Sequence, residues 1–238
     1  YRLTDESAAF LKKHCEGLGL SLDGASPESA DRTRKDWSGK GQYGKVSQTI
    51  AMLNDHPGFN VICTATKENM DKLPEMVDFL HGAGVKVCML NALRCTQERS
   101  RSLKPDELSF ASHYIKALDR SYELFEKTGR KLVVANFANI LLAILAPTAR
   151  NLMCDISPCG GGRCFFAVAA SGDMFPCSEF VGVQHFKGGN ILSDKIEDVM
   201  QSQPFKAVTG RRVEDITPCA TCSIRHFCGS PCPAEAHE

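Results

Sequence analysis

The chain has 238 residues, 43% of them hydrophobic, enough to bury a substantial core in one large or two moderate domains. Lys plus Arg and Asp plus Glu both number 28, giving zero formal net charge, and no basic run or aromatic-basic stripe marks a nucleic-acid face. No apolar stretch approaches the ~20 residues of a membrane helix and no signal-like segment precedes the cysteines, so neither a membrane nor nucleic acid is expected as a partner, and the expected setting is cytoplasmic.

Thr4 followed by Asp5 and Glu6 predicts a helix start, and Gly17 ends that helix before a strand over residues 18–23 closed by Gly24. A turn region follows. Residues 42–54 then carry Val46, Ile50 and Leu53 on one helical face, Pro57 and Gly58 break the helix, and 60–66 reads as a β-branched strand. A helix over about 70–81 points Leu73, Met76, Val77 and Leu80 inward, and Gly82 and Gly84 stop it before a strand over 85–90. Alternating strand and helix implies parallel strands with right-handed crossovers. Three such strands alone would leave unpaired edges, and the chain opens on Tyr1 without an initiator methionine, so further strands are expected upstream.

Pro105, Asp106 and Glu107 open a longer helix in which Leu108, Ala111, Ile115, Leu118, Tyr122 and Phe125 step by three and four, with Gly129 as its stop. Residues 131–137 read as a possible strand and 139–145 as a short apolar helix ended by Pro147. The expected boundary falls near residue 150, with an α/β domain over 1–150 and a cysteine-rich domain over 151–238.

That second part holds Cys159, Cys164 and Cys177, then Cys219, Cys222, Cys228 and Cys232 in the spacing C-x2-C-x5-C-x3-C. Pro218, Gly229, Pro231 and Pro233 supply turns that can aim several sulfurs inward without a helix. A soft, sulfur-only donor set selects zinc or iron-sulfur clusters over magnesium or calcium. On spacing alone structural zinc and clusters both remain open, and disulfides are disfavoured by the cytosolic-looking α/β half. Cys15, Cys63, Cys88 and Cys95 carry no ligand spacing and read as small hydrophobes, while Cys154, five residues before Cys159, stays a candidate ligand.

The pattern C-x12-G-x4-C formed by Cys159, Gly172 and Cys177, followed by the block from Cys219 to Cys232, resembles the SPASM domain found at the C-terminus of radical S-adenosylmethionine enzymes. The segments GLSLDGASPESADRTR and NVICTATKENMDKLPEMVDFLHGAGVKVCML are similar to later strands of the partial (β/α)6 barrel of those enzymes. The resemblance implies an α/β fold ending in a small auxiliary-cluster domain. It implies one 4Fe-4S cluster on Cys159, Cys164, Cys177 and Cys232, and a second on Cys219, Cys222 and Cys228 whose fourth ligand the chain does not supply; Cys154 or His237 could fill that place. It further implies S-adenosylmethionine as cofactor, with Ser21 suited to its ribose or carboxylate, Asp23 to ribose or substrate, Arg34 to the methionyl carboxylate, and Asn91 and Leu93 bordering the adenine. The family's C-x3-C-x2-C loop for the radical-generating cluster is absent from these 238 residues, so it is expected upstream and the segment by itself is expected to be inactive.

By the same resemblance the protein modifies a peptide or protein substrate and takes electrons from a flavodoxin or ferredoxin. Where sulfatase maturases of the family carry an acidic base, this chain has Ser178, followed by Glu179. A maturase of ribosomally made peptides, forming thioether or carbon-carbon crosslinks, is therefore preferred to a sulfatase maturase or to a non-catalytic metal-stabilised binding module.

Overall fold

The computed structural model describes residues 3–94, 98–149, 153–229 and 231–234; Cys95 and His237 lie outside them. In chain order the larger elements are α1 (Asp5–His14), β1 (Leu18–Ser21), α2 (Pro27–Ala30), α3 (Tyr43–Leu53), β2 (Phe59–Ala65), α4 (Leu73–Gly82), β3 (Val87–Ala92), α5 (Glu98–Arg101), α6 (Glu107–Thr128), β4 (Val133–Val134) and α7 (Ala135–Leu145). Then come β5 (Ala167–Val168), β6 (Asp173–Phe175), β7 (Gly189–Asn190), α8 (Ile196–Met200) and α9 (Gln203–Thr209), joined by short 3-10 turns.

Two units result, one of residues 1–93 and 99–136, the other of 94–98 and 137–238, so the division falls inside α7. In the first, β1, β2, β3 and β4 pair in that order and in parallel throughout, Ser21 opposite Ile62, Cys63 opposite Leu90 and Cys88 opposite Val134. The first three strands fall where the β-branched runs and glycine breakers predict, and the two-residue β4 lies within the possible strand read over 131–137. β2 buries Phe59, Val61, Cys63 and Ala65 on one face, with Asn60, Ile62 and Thr64 half-buried on the other, the period-two pattern of a strand with one face packed on the core and the other partly open. Parallel pairing brings the C-terminal ends of β1, β2 and β3 to one edge, which is where the loops holding Asp23, Thr66 and Leu93 begin.

α6 corrects the sequence reading. Its ends are as expected, with Asp106 Oδ1 accepting from the Ser109 amide at 2.8 Å and Gly129 closing the helix at φ 70°, the left-handed conformation that favours glycine. Its inward face, however, is Phe110, Tyr114, Ala117, Leu118 and Leu124. Of the stripe read from the sequence, only Leu118 packs inward, while Leu108, Ile115, Tyr122 and Phe125 are exposed. α6 lies against α4, whose Leu73, Met76, Val77 and Leu80 are fully buried, and Ala117 is the small residue that permits close approach there. α7 also begins earlier than expected, at Ala135, and takes up the last part of the strand expected over 131–137.

The second unit has a three-stranded antiparallel sheet in the order β5, β6, β7 and two small apolar clusters. One gathers Phe175, Phe180, Phe186, Val208 and Ala234; the other gathers Met174, Val199 and Phe205. No helix among the described residues is long and apolar enough to cross a membrane.

Candidate functional site

In the second unit Cys159, Cys177 and Cys232 pack against the same cluster of Phe175, Phe180, Phe186, Val208 and Ala234. Residues far apart in sequence are thereby drawn together, Cys177 by the turn after β6 and Cys232 by the last turn of the chain. One hydrogen bond fastens the cysteine blocks to each other, Ser157 Oγ donating to the Arg225 carbonyl at 3.1 Å, and another ties the segment before the second block to its end, Arg211 Nη1 donating to the Pro231 carbonyl at 3.2 Å.

Cys154 belongs to the same neighbourhood. Its thiol is raised above the usual cysteine range by partial burial and by Cys177, Cys159 and Cys232, with Arg94 acting in the opposite sense. The Cys159 thiol is raised mainly by burial, then opposed by the Gly161 amide, with Cys232 and Cys177 also raising it and Arg211 lowering it. Thiols this close raise one another's pKa, and holding several of them as thiolates needs a cation among them. Cys154 and Cys164, five residues to either side of Cys159, are both exposed at the surface.

The backbone here fits a bulky, sulfur-bound group. The Gly161 N–H donates to Cys159 Sγ at 3.2 Å, the kind of bond that tunes a cluster sulfur. A Cβ on Gly161 would lie 3.4 Å from that sulfur and 3.5 Å from the Cys177 Cβ, and one on Gly160 would strike the Met153 carbonyl oxygen. Only glycine lets residues 153 and 154 come this close to the 159–164 turn. Beside the group, Glu179 pairs with Arg94 at 3.6 Å, and Ser178 Oγ lies 3.8 Å from Cys177 Sγ.

Cys219, Cys222 and Cys228 stand on consecutive turns, the Cys222 amide donating to the Cys219 carbonyl at 3.0 Å and the Cys228 amide to the Ile224 carbonyl at 3.0 Å. Cys222 is exposed, and Cys219 and Cys228 are half-buried. Among the described residues, no three ligating side chains close on a single ion-sized point; four irons with their sulfides require wider sulfur spacing than one ion does. Elsewhere, Cys63 and Cys88 are buried in the first unit, where desolvation pushes the Cys88 thiol up to about 12 and the Cys63 thiol higher. Both are inert core residues, as the lack of ligand spacing predicts.

The second candidate site is the C-terminal strand edge of the first unit. Ser21 ends β1 half-buried. Two residues on, Asp23 is 5% exposed, with Oδ1 accepting from the Thr64 amide at 2.9 Å and from Arg34 Nη2 at 3.2 Å. Oδ2 accepts from Thr33 Oγ1 at 3.1 Å and lies 2.7 Å from Arg34 Nε, an ionic contact off the axis of the N–H bond. Asn69 Nδ2 donates to the Asp23 carbonyl at 2.8 Å and to the Thr64 carbonyl at 3.1 Å, stitching the ends of β1 and β2. Leu93 follows β3, half-buried, its amide donating to the Ala65 carbonyl at 2.8 Å. The edge thus brings Asp23 and Arg34 into direct contact, an ion pair that sequence reading missed because it gave each residue its own part of the cofactor or substrate.

Comparison with known proteins agrees with both halves. Residues 159–223 match the SPASM family, an iron-sulfur cluster-binding domain. A protein of Archaeoglobus fulgidus is 44% identical over 99% of this chain and 55% of its own length. A cysteine-type anaerobic sulfatase-maturating enzyme of Clostridium novyi is 22% identical over 97% of the chain and 61% of its own length. The mycofactocin maturase MftC of Mycolicibacterium smegmatis is 26% identical over 98% and 57%. The chain therefore spans little more than half the length of these curated relatives. Among solved structures, native anSMEcpe with bound AdoMet and Cp18Cys peptide superposes with a TM-score of 0.76 at 18% identity, covering 95% of this chain and 62% of that one. Streptococcus suis SuiB bound to precursor peptide SuiA gives 0.64 at 14%, covering 97% and 52%. Residues 159–223 thus match the SPASM iron-sulfur cluster-binding family, and the chain as a whole shares its fold with anSMEcpe and SuiB.

Proposed function

We propose that this chain is the later barrel and auxiliary-cluster portion of a radical S-adenosylmethionine enzyme that modifies a peptide or protein. The observation that carries the reading is the gathering of Cys159, Cys177 and Cys232 on one apolar cluster, with the Met153 backbone that leads into Cys154 held against Gly160. These four are assigned to the first 4Fe-4S cluster, with Cys154 in the place the sequence gave to Cys164, and Cys219, Cys222 and Cys228 to the second. When bound, such clusters supply one-electron transfer. The chain's own residues hold them, exclude water with the Phe175, Phe180 and Phe186 cluster, and set nearby charge with Arg94 and Arg211.

At the strand edge, Ser21 and Arg34 are assigned to S-adenosylmethionine, with Leu93 bordering its adenine. The guanidinium fork suits the methionyl carboxylate. A peptide substrate is supported by the neighbours that hold one, anSMEcpe with Cp18Cys and SuiB with SuiA, and a small electron-transfer protein such as a flavodoxin or ferredoxin would supply electrons. Of the finer activities, peptide crosslinking is preferred to sulfatase maturation. The position after Cys177 is the neutral Ser178, and Glu179 is already paired with Arg94.

Iron and sulfide analysis after anaerobic reconstitution tests the ligand assignment. Cys154→Ala is expected to lose iron from the first cluster, by about four per chain if the cluster is lost whole, while Cys164→Ala keeps the unmodified protein's content. The reverse pattern would return Cys164 to the ligand set. Stoichiometric zinc with little sulfide would replace the catalytic reading by a structural one.

A further inference from the structure

We propose that Asp23 is a positioning residue: it holds the Arg34 guanidinium in a fixed plane at the strand edge and does not itself touch the cofactor. This rests on the reading that S-adenosylmethionine binds at that edge. A carboxylate offers about four lone-pair sites; three accept hydrogen bonds here, from the Thr64 amide, Thr33 Oγ1 and Arg34 Nη2, and Arg34 Nε lies against Oδ2 as an ionic contact. At 5% exposure and with the guanidinium lying against Oδ2, Asp23 is out of reach of a ribose hydroxyl.

Arg34 is in the opposite situation. Its Nε and Nη2 edge is turned onto Asp23, whereas its side chain is 37% exposed and Nη1 has no partner among the described residues. A guanidinium carries five N–H donors in one rigid plane, so fixing one edge on a buried carboxylate aims the other. The anchor is itself immobile, because the Thr64 amide and the Asn69 clamp tie Asp23 to the ends of two paired strands. An arginine alone would give up rotamer freedom on binding an anion, and Asp23 removes that cost in advance. The partial neutralisation of Arg34 by Asp23 works against this gain, and the exposed, water-screened side of the guanidinium limits that loss.

The test compares two probes by equilibrium dialysis against the reconstituted protein: S-adenosylmethionine, and 5′-methylthioadenosine, which keeps adenine, ribose and thioether but lacks the amino acid carboxylate. Asp23→Asn retains an oxygen for the Thr64 amide and removes the charge that orients Arg34. It is expected to weaken S-adenosylmethionine about tenfold and leave 5′-methylthioadenosine unchanged. Arg34→Lys is expected to do at least as much to S-adenosylmethionine, and the double variant no more than Arg34→Lys alone. Equal weakening of both probes by Asp23→Asn would place Asp23 on the ribose and overturn the proposal. Unchanged or tighter binding of S-adenosylmethionine, or fully additive losses in the double variant, would overturn it as well. An unmodified protein that takes up neither probe would overturn the cofactor reading, and this role with it.

Discussion

Removing iron is expected to unfold the second unit while leaving the first intact. Among the described residues the apolar clusters of the second unit gather only Phe175, Phe180, Phe186, Val208 and Ala234 in one and Met174, Val199 and Phe205 in the other, and its strands are two or three residues long, too short to stand without support. A structural four-thiolate zinc site contributes ~10–16 kcal/mol, whereas a whole domain has a net stability of about 5–15 kcal/mol. Taking a cluster site as comparable, coordination equals or exceeds everything else that holds this unit together, so its loss should abolish the fold and not merely soften it. Hydrogen exchange read by mass spectrometry checks this through the amides of Ala169, Gly188 and Ile191, which donate to the Asp173, Met174 and Gly172 carbonyls. After anaerobic chelation these should exchange at nearly the rate of an unstructured chain, while peptides covering β2 and β3, up to seven residues long and buried, keep their protection. Persistent protection of more than about a hundredfold at Gly188 and Ile191, equivalent to ~2.7 kcal/mol, would refute the reasoning and show that the aromatic clusters suffice.

Three further outcomes follow from the geometry. Ala117→Leu, at the fully buried contact of α6 with α4, should cost about 1–3 kcal/mol by overpacking, whereas Ile115→Ala, at 56% exposure, should stay within about 0.5 kcal/mol; urea midpoints distinguish the two, and the opposite order would restore the face read from the sequence. Asp106 has its carboxyl held below the usual range, first by the Ser109 amide. A depressed folded pKa makes its share of stability complete above the unfolded value and lost as pH falls through the folded one, so the urea midpoint of the unmodified protein should drop below about pH 4 more steeply than that of Asp106→Asn, which keeps an acceptor for the Ser109 amide but cannot titrate. Gly160→Ala places a methyl against the Met153 carbonyl, driving Cys154 from the other thiols, and should lower iron content after reconstitution to the level of Cys154→Ala while leaving β2 and β3 protected from exchange.

Strand and helix ends were legible because glycine, proline and capping residues act locally, as Thr4, Asp106 and Gly129 do. The buried face of α6 was not, because the helix carries two apolar stripes and periodicity cannot choose between Leu108, Ile115, Tyr122 on one side and Phe110, Tyr114, Leu118 on the other. The choice is made by α4, which needs a small residue opposite its buried leucines and finds Ala117. The first thiolate group shows the same limit. Cys154 and Cys164 both stand five residues from Cys159 and both are exposed, so neither spacing nor burial separates them; what does is the glycine at 160, which admits the Met153 backbone against the turn that carries Cys159. Asp23 is the extreme case. Its partners lie 10, 11 and 41 residues away, so nothing within its own turn reveals that Asp-Gly is here a buried anchor. Local chemistry placed the elements, and packing between elements decided which of their equivalent faces and cysteines would form the sites.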